Sequence, residues 1–239
     1  MAREHWVIVS GHLLEPFLFL FSIGVGVGAL VDEVAGPGGP IAYRSFVGPA
    51  LLASSAMNAA VFAGTFDFYG KYKWQQLYDA MLATPLTPRD ILIGERRWIL
   101  IQVAASATAF VVTMAAMGLL ESWLAVLLVP AALLTAYGFA GAAFFGATFL
   151  RSWLDFDLVQ LAIIPLFLFS ASFFPLDRYP TGIQWVVRCT PLYHGVDLCR
   201  DLALGSVGVT SLVSVVYLVA LGWIGATLAI GRFAAMAQP

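Results

Sequence analysis

The chain has 239 residues, of which 61% are hydrophobic and 11% are charged, with 12 Lys and Arg against 14 Asp and Glu. Soluble globular chains carry ~45–50% apolar and ~25% charged residues, so this composition excludes a soluble enzyme and a disordered chain. A net charge of −2 also excludes the basic surface of a nucleic-acid binder. The charges avoid six stretches, 16–31, 45–66, 98–120, 122–150, 158–176 and 202–231, and a bilayer core ~30 Å thick is crossed by about 20 helical residues. Backbone groups in lipid must bond within their own segment, which makes each run a helix. None of the runs alternates as a barrel strand would.

The amino-terminal piece 3–15 places Trp6, Val9 and Leu13 on one helical face, either as an interfacial helix or as a lead-in to the first span. Arg3 ahead of an apolar stretch is reminiscent of a signal peptide, but Glu4 and Glu15 argue against cleavage. Spans are expected near 14–31, 46–66, 98–118, 125–149, 158–175 and 209–231. They form a single transmembrane domain over 1–239, without repeat or linker. The loop 32–44, with Gly36, Pro37, Gly38, Gly39 and Pro40, reads as a turn-rich external connection. Two longer segments interrupt the spans. Segment 67–97 is basic, whereas 176–208 is half apolar, with Ile183, Trp185, Val186, Val187, Leu192 and Val196, as suits helices in or near the interface.

With the amino terminus in the cytoplasm, Arg3, Lys71, Lys73, Arg89, Arg96, Arg97, Arg151 and Arg232 lie inside, and Arg44, Arg178, Arg188 and Arg200 outside. This agrees with the positive-inside rule and places both termini in the cytoplasm of a multi-pass protein. Trp74, Trp98, Trp123, Trp153 and Trp185 fall near span ends, as interfacial aromatics do.

No ionisable residue lies in the middle of a span, where a carrier driven by an ion gradient usually keeps one. Asn58, Gln102 and Gln160 are the most polar intramembrane side chains, and helix–helix hydrogen bonds are their expected role. His5, His12 and His194 have no Cys or carboxylate at metal-ligand spacing. Gly70-Lys71 is followed by Tyr72, so the phosphate-loop pattern is broken. Gly24, Gly26 and Gly28 lie inside an apolar span, and close helix packing explains them better than dinucleotide binding. Small faces at Gly138/Ala142/Gly146 and Gly222/Ala226 suggest packing against another copy of the chain. Cys189 and Cys199 are read as free, buried thiols; a bridge between them would need a turn, which Pro191 could supply.

The segment Gln76 to Glu95, QLYDAMLATPLTPRDILIGE, resembles the loop between spans two and three of type-2 ABC exporter permeases. A second match is Phe173-Phe174-Pro175-Leu176-Asp177, followed by Thr190-Pro191-Leu192-Tyr193-His194 and Arg200. That is similar to the family's Pro-Leu-x-His, five residues, Arg signature before the last span. The resemblance is strongest to nodulation-factor and daunorubicin-type exporter permeases, and covers nearly the whole chain. It implies an all-α membrane fold of six transmembrane helices, with a cytoplasmic coupling helix and a re-entrant external helical segment before the last span.

The resemblance also implies roles. Leu77, Tyr78, Met81, Leu82, Pro85, Asp90 and Glu95 would couple to a separate ABC ATPase, with Leu77, Met81 and Leu82 as apolar knobs. Locally, Thr84-Pro85 stops one helix and Thr87-Pro88 starts the next. Glu95, Arg96 and Arg97 are expected either to form ion pairs or to anchor the interface. Phe17, Phe21, Asn58, Phe62, Phe167 and Phe169 are candidate pathway-lining residues, with core packing the alternative. Pro175, Pro191, His194 and Arg200 form the external motif, His194 as a structural hydrogen-bonder. No cofactor is expected in this chain; ATP and Mg would bind the partner ATPase. The further partners are a second permease, identical or related, and the lipid of a bacterial cytoplasmic membrane. The aromatic, nearly uncharged pathway suits an amphipathic, lipid-like, glycan or drug cargo moving outward. The alternative function is a membrane-embedded lipid- or glycan-modifying enzyme, for which Asp155, Asp157, His194 and Asp201 are the candidates.

Overall fold

A computed structural model describes residues 21–22, 33–36, 39–152 and 154–236. Strands β1 (Glu33–Gly36) and β2 (Gly39–Ala42) pair antiparallel, Glu33 opposite Ala42, so the expected external loop contains a small hairpin. It leads directly into α1 (Tyr43–Phe62), which continues through two π-helical segments, Ala63–Asp67 and Gly70–Trp74. A six-residue helix, α2 (Leu77–Leu82), follows, and then α3 (Pro88–Ala116). A 3₁₀ turn (Trp123–Leu127) opens α4 (Leu128–Ala147), and α5 covers Leu154–Leu168. The segment 176–208 holds a 3₁₀ turn (Leu176–Arg178), α6 (Thr181–Cys189) and α7 (Pro191–Leu204), and α8 (Val209–Met236) follows.

Among the described residues, four helical stretches are long and apolar enough to cross a membrane: Tyr43–Trp74, Pro88–Ala116, Trp123–Ala147 and Val209–Met236. They coincide with the expected spans 46–66, 98–118, 125–149 and 209–231, and the chain is an all-α membrane protein apart from its hairpin. The expected first span, 14–31, lies outside the described residues except for 21–22, as does the piece 3–15. The run read as a span over 158–175 is shorter as a helix. Its 15 residues in α5 rise ~22 Å, less than the ~30 Å core. Polarity of the backbone, not charge, ends it. Ser170 Oγ donates to Phe167 O at 2.7 Å and lies 2.6 Å from Ser172 Oγ, while Ala171 adopts φ +55 between them. A count of charges misses such a serine turn.

The core centres on α1, which packs against α3, α4 and α7; α4 in turn packs most extensively against α8. That last seam depends on missing side chains. A Cβ at Gly141 would lie 2.5 Å from Gly222 O, and one at Gly225 2.5 Å from Gly141 C. A Cβ at Gly222 would lie 2.3 Å from the Tyr137 ring. Close backbone approach of this kind is how helices associate where lipid removes the hydrophobic driving force. The sequence had offered Gly138/Ala142/Gly146 and Gly222/Ala226 as faces for a second copy. In the structure Gly138, Gly141, Gly222 and Gly225 meet within one chain, a face turned slightly from the expected one, while Gly146 stays exposed.

Replacing Gly222 with Ala is expected to lower stability by ~1–3 kcal/mol, the usual cost of overpacking. Gly146→Ala, whose Cβ would meet nothing within 4 Å, is expected to be neutral or stabilising. Thermal unfolding of the purified variants in detergent checks the contrast.

Candidate functional site

The segment between α1 and α3 is built for a fixed, exposed turn. Gln76, at φ +49, breaks the helix direction after the π segments and allows α2 to start afresh. Thr84 Oγ1 donates to Met81 O at 2.6 Å and closes α2. Thr87 then caps α3: its Oγ1 accepts from Asp90 N, and the Asp90 carboxylate accepts from Thr87 N at 3.0 Å, with Pro88 at the first helical position. This capping box satisfies two amide donors that a bare helix start would leave open. The Thr87 hydroxyl and amide also hold the Asp90 carboxyl below the usual carboxylate range.

Inside this turn, Tyr78 is fully buried, its ring 5.1 Å from Phe68 and 5.9 Å from Phe233 of α8. Its hydroxyl makes no hydrogen bond. Burial first, and then the Glu95 carboxylate, push that hydroxyl well above the ordinary tyrosine range. Glu95 itself pairs with Lys71 at 2.6 Å, linking the second π segment to α3. Of the cationic neighbours expected to join it, Arg96 instead stacks on Tyr137, 4.9 Å from the ring centre. Met81 and Leu82 are half-buried against the core, and Leu77 is half-buried too. The outward face is therefore Asp79, Ala80, Ala83, Thr84, Pro85 and Leu86, with Trp74 exposed beside it.

A cavity of about 300 Å³ opens between α1 and α5, lined by Asn58, Val61, Phe62, Thr65, Phe66, Phe156, Val159, Gln160 and Ile163. Asn58 and Gln160 both line it and make no hydrogen bond among the described residues, in place of the helix–helix bonds expected of them. They are the polar groups of an otherwise apolar and aromatic wall. A chain of rings runs from that wall towards the exposed turn. Phe62 stacks on Phe66 at 5.0 Å, Phe66 meets Phe156 at 5.4 Å and Trp74 at 5.9 Å, and Tyr69 meets both Phe156 and Trp74. Phe66 and Trp74 lie in the π segments, a helix form that recurs at functional sites.

The remaining candidates fall elsewhere. Phe167 packs on Phe173 at 5.1 Å at the far end of α5, and Phe169 lies just beyond the helix; neither lines the cavity. Phe21 is exposed, and Phe17 lies outside the described residues. Sequence reading missed Phe66, Tyr69 and Phe156. The i, i+4 spacing of Phe62 and Phe66 could have shown the first.

At the other end of the bundle, Pro175 caps a 3₁₀ turn and Pro191 opens α7 at its first position. His194 Nδ1 lies 3.1 Å from Ser214 Oγ, with its ring stacked on Tyr217 at 4.1 Å, and it sits within a helix rather than a turn. Arg200 is buried. Its Nε donates to Phe46 O at 3.3 Å and its Nη2 to Ala171 O at 3.0 Å, while the guanidinium lies 3.7 Å from the Phe46 ring centre. Burial lowers its pKa to about 10, still a full charge at neutral pH. Asp201 accepts from Ser206 Oγ and Ser211 Oγ and so sets the turn into α8. Asp155 accepts from the amides of Arg151 and Ser152 at the start of α5. Both cysteines are free, Cys199 buried as expected and Cys189 exposed.

Comparison with known proteins bears on what this arrangement serves. The ABC-2 type transporter family matches residues 1–204. The chain belongs to the ABC-2 type transporter family. It is 34% identical over 197 residues to Nodulation protein J of Rhizobium leguminosarum bv. trifolii, covering 82% of this chain and 73% of that protein. Over 200 residues it is 32% identical to Nodulation protein J of Rhizobium meliloti (strain 1021), 83% of this chain and 74% of the relative. No solved structure matches the chain. It is thus a transmembrane permease of an ABC transporter, and the family implies association with an ABC ATPase.

In this permease Arg200 joins α7 to the start of α1 and to the turn after α5. Arg200→Met is expected to cost about 1–3 kcal/mol, because the Phe46 and Ala171 carbonyls lose their buried donors. Arg200→Lys should recover part of the loss, since an ammonium can reach one carbonyl but cannot stack as a planar guanidinium does. Thermal unfolding of both variants in detergent measures the order.

Proposed function

We propose that the chain is the permease subunit of an ATP-driven exporter that carries an amphipathic, lipid-like, glycan or drug cargo outward across a bacterial cytoplasmic membrane. Two six-span permeases, identical or related, pair, and each is a single transmembrane domain over 1–239. The expected span 14–31 and the shorter α5 complete the six, and both termini are cytoplasmic. The segment 176–208 forms the re-entrant external part. Two ATPase subunits bind the cytoplasmic side and hold the ATP and Mg. No catalytic role is assigned to this chain.

The observation that carries this reading is the continuity from the exposed α2 turn to the cavity. A partner docked on α2 and the Ala83–Leu86 turn would push on a unit tied to α3 by Lys71–Glu95 and to α8 by Tyr78–Phe233. The aromatic chain from Trp74 to Phe62 then carries that displacement to the cavity between α1 and α5. Leu77, Tyr78, Met81, Leu82, Pro85, Asp90 and Glu95 act in this coupling in two ways. Pro85 belongs to the contact surface, while Tyr78, Met81, Leu82, Asp90 and Glu95 hold it in shape, with Leu77 at its edge. Asn58 and Phe62 line the pathway in each protomer, with Phe17, Phe21, Phe167 and Phe169 completing it where the protomers meet. The cavity's uncharged wall supports an amphipathic cargo, and relatives named Nodulation protein J support the permease reading without naming a cargo.

The alternative, a membrane-embedded lipid- or glycan-modifying enzyme, gains no support from its candidate groups. Asp155 and Asp201 are engaged in turns and His194 with Ser214.

Charge on the outward face tests the reading. The double change Ala83→Asp/Leu86→Asp alters exposed positions and is expected to leave the fold intact. It should weaken capture of the ATPase by roughly 2 kcal/mol, the loss typical of a central interface residue. Co-purification from membranes measures it. Unchanged capture by a folded variant would refute docking through this turn.

A further inference from the structure

A second opening adjoins the cavity at Asn58 and Phe62 and shares Val61, Thr65, Val159 and Ile163 with it. It is a groove of about 460 Å³ between α1, α4, α5 and α8. Its walls include Val61, Ala142, Gly146, Leu158, Ala162 and Leu166. Only Thr65 and Asp155 among the lining residues carry polar side chains that are hydroxyl or charged, and both are satisfied. Thr65 Oγ1 donates to Val61 O at 2.6 Å, and the Asp155 carboxylate accepts two backbone amides at 2.6 and 2.9 Å. The groove thus offers an occupant almost nothing but hydrocarbon along its length. From Asp155 to Leu166 it follows α5 for eleven residues, or ~16 Å, close to half the ~30 Å hydrocarbon core.

Its mouth is different. Phe149 and Leu150 line the groove at the end of α4. The guanidinium of Arg232 lies over the Phe149 ring at 3.8 Å, and Arg151 follows Leu150, exposed, with its carbonyl fixed by Tyr69 Oη at 3.0 Å. Neither cation forms an ion pair among the described residues. An apolar trough one leaflet long, with two cations at one end, matches a molecule that has an acyl tail and an anionic head. Basic pockets between helices on the cytoplasmic side take phospholipid head groups in this way.

We infer that the groove between α1, α4, α5 and α8 is a binding site for one anionic membrane phospholipid, its acyl chain against Ala142, Gly146 and Ala162 and its phosphate at Arg232 and Arg151. The lipid covers an α5 face that the described residues leave open, since α5 has no buried residue among them. The site adjoins the cavity but does not include Asn58 or Phe62, and its occupation does not depend on ATP.

The test is native mass spectrometry of the purified permease with its ATPase, released from nanodiscs containing equal phosphatidylglycerol and phosphatidylcholine, without cargo or nucleotide. The expected result is one retained lipid per permease, with phosphatidylglycerol favoured. Arg232→Gln should cut that preference about fivefold, the factor for one cation at an anionic surface. Gly146→Leu fills a place where a Cβ meets nothing within 4 Å, and should expel the lipid without changing the melting temperature. The inference is overturned by no head-group preference in the wild type, by lipid retention indifferent to both variants, or by loss of the dimer by Gly146→Leu with bound lipid unchanged. The last would assign the groove to a second copy. Retention that appears only when cargo is added would assign it to transport and equally overturn it.

Discussion

Arg200 brings a full positive charge into the packed end of the bundle and answers it without a carboxylate in ion-pair contact. Two carbonyl oxygens, those of Phe46 and Ala171, accept its N–H groups, and the Phe46 ring lies under the guanidinium plane. A buried charge is tolerated only when its hydrogen-bonding capacity is met and it is otherwise expensive, so the three partners must stay in register. Those partners belong to the first turn of α1 and the turn after α5, and Arg200 itself belongs to α7. One side chain therefore fixes where three otherwise separate segments meet. The left-handed backbone of Ala171, unfavourable for a residue with a Cβ, is held at the position whose carbonyl Arg200 uses.

The opposite end is organised by different means. There the helices are tied by the Lys71–Glu95 pair, the capping box at Thr87 and Asp90, and the burial of Tyr78 between Phe68 and Phe233. Between the two ends runs the glycine seam of α4 and α8, where backbones touch and leave no room for independent sliding. Packed interiors respond to a push by moving as bodies rather than by yielding locally. In such a bundle the poorly buried α5 is the helix least held by its neighbours, and it faces α1 across the cavity. Displacement of the exposed turn relative to α5 would alter the cavity most and the seam least.

The spans and the basic loop were legible because charge is excluded from lipid and because proline and threonine at helix starts have a local meaning. Thr87-Pro88 announced α3 without any knowledge of its neighbours. The end of α5 was not legible in the same way, since Ser170 and Ser172 are uncharged and their turn depends on Arg200, some thirty positions later. The small-residue faces were visible as composition, but which face met which partner depended on helix rotation, and Gly141 rather than Ala142 makes the contact. The apolar residues of α2 were visible too. That Met81 and Leu82 turn inward, leaving Ala83 and Leu86 outside, follows from the left-handed Gln76, whose conformation no neighbouring residue type demands.

A bundle with no ionisable group in the middle of its expected spans has no charge of its own to couple to an ion gradient, and membership of the ABC-2 type transporter family implies that the energy arrives from an ABC ATPase. Reconstitution in proteoliposomes puts this most directly. The chain alone, given Mg and ATP, is expected to hydrolyse none, and addition of its ATPase subunit should produce hydrolysis faster than that subunit shows without the permease. ATP turnover by the chain alone, or transport driven by a proton or sodium gradient with no ATPase present, would contradict the account.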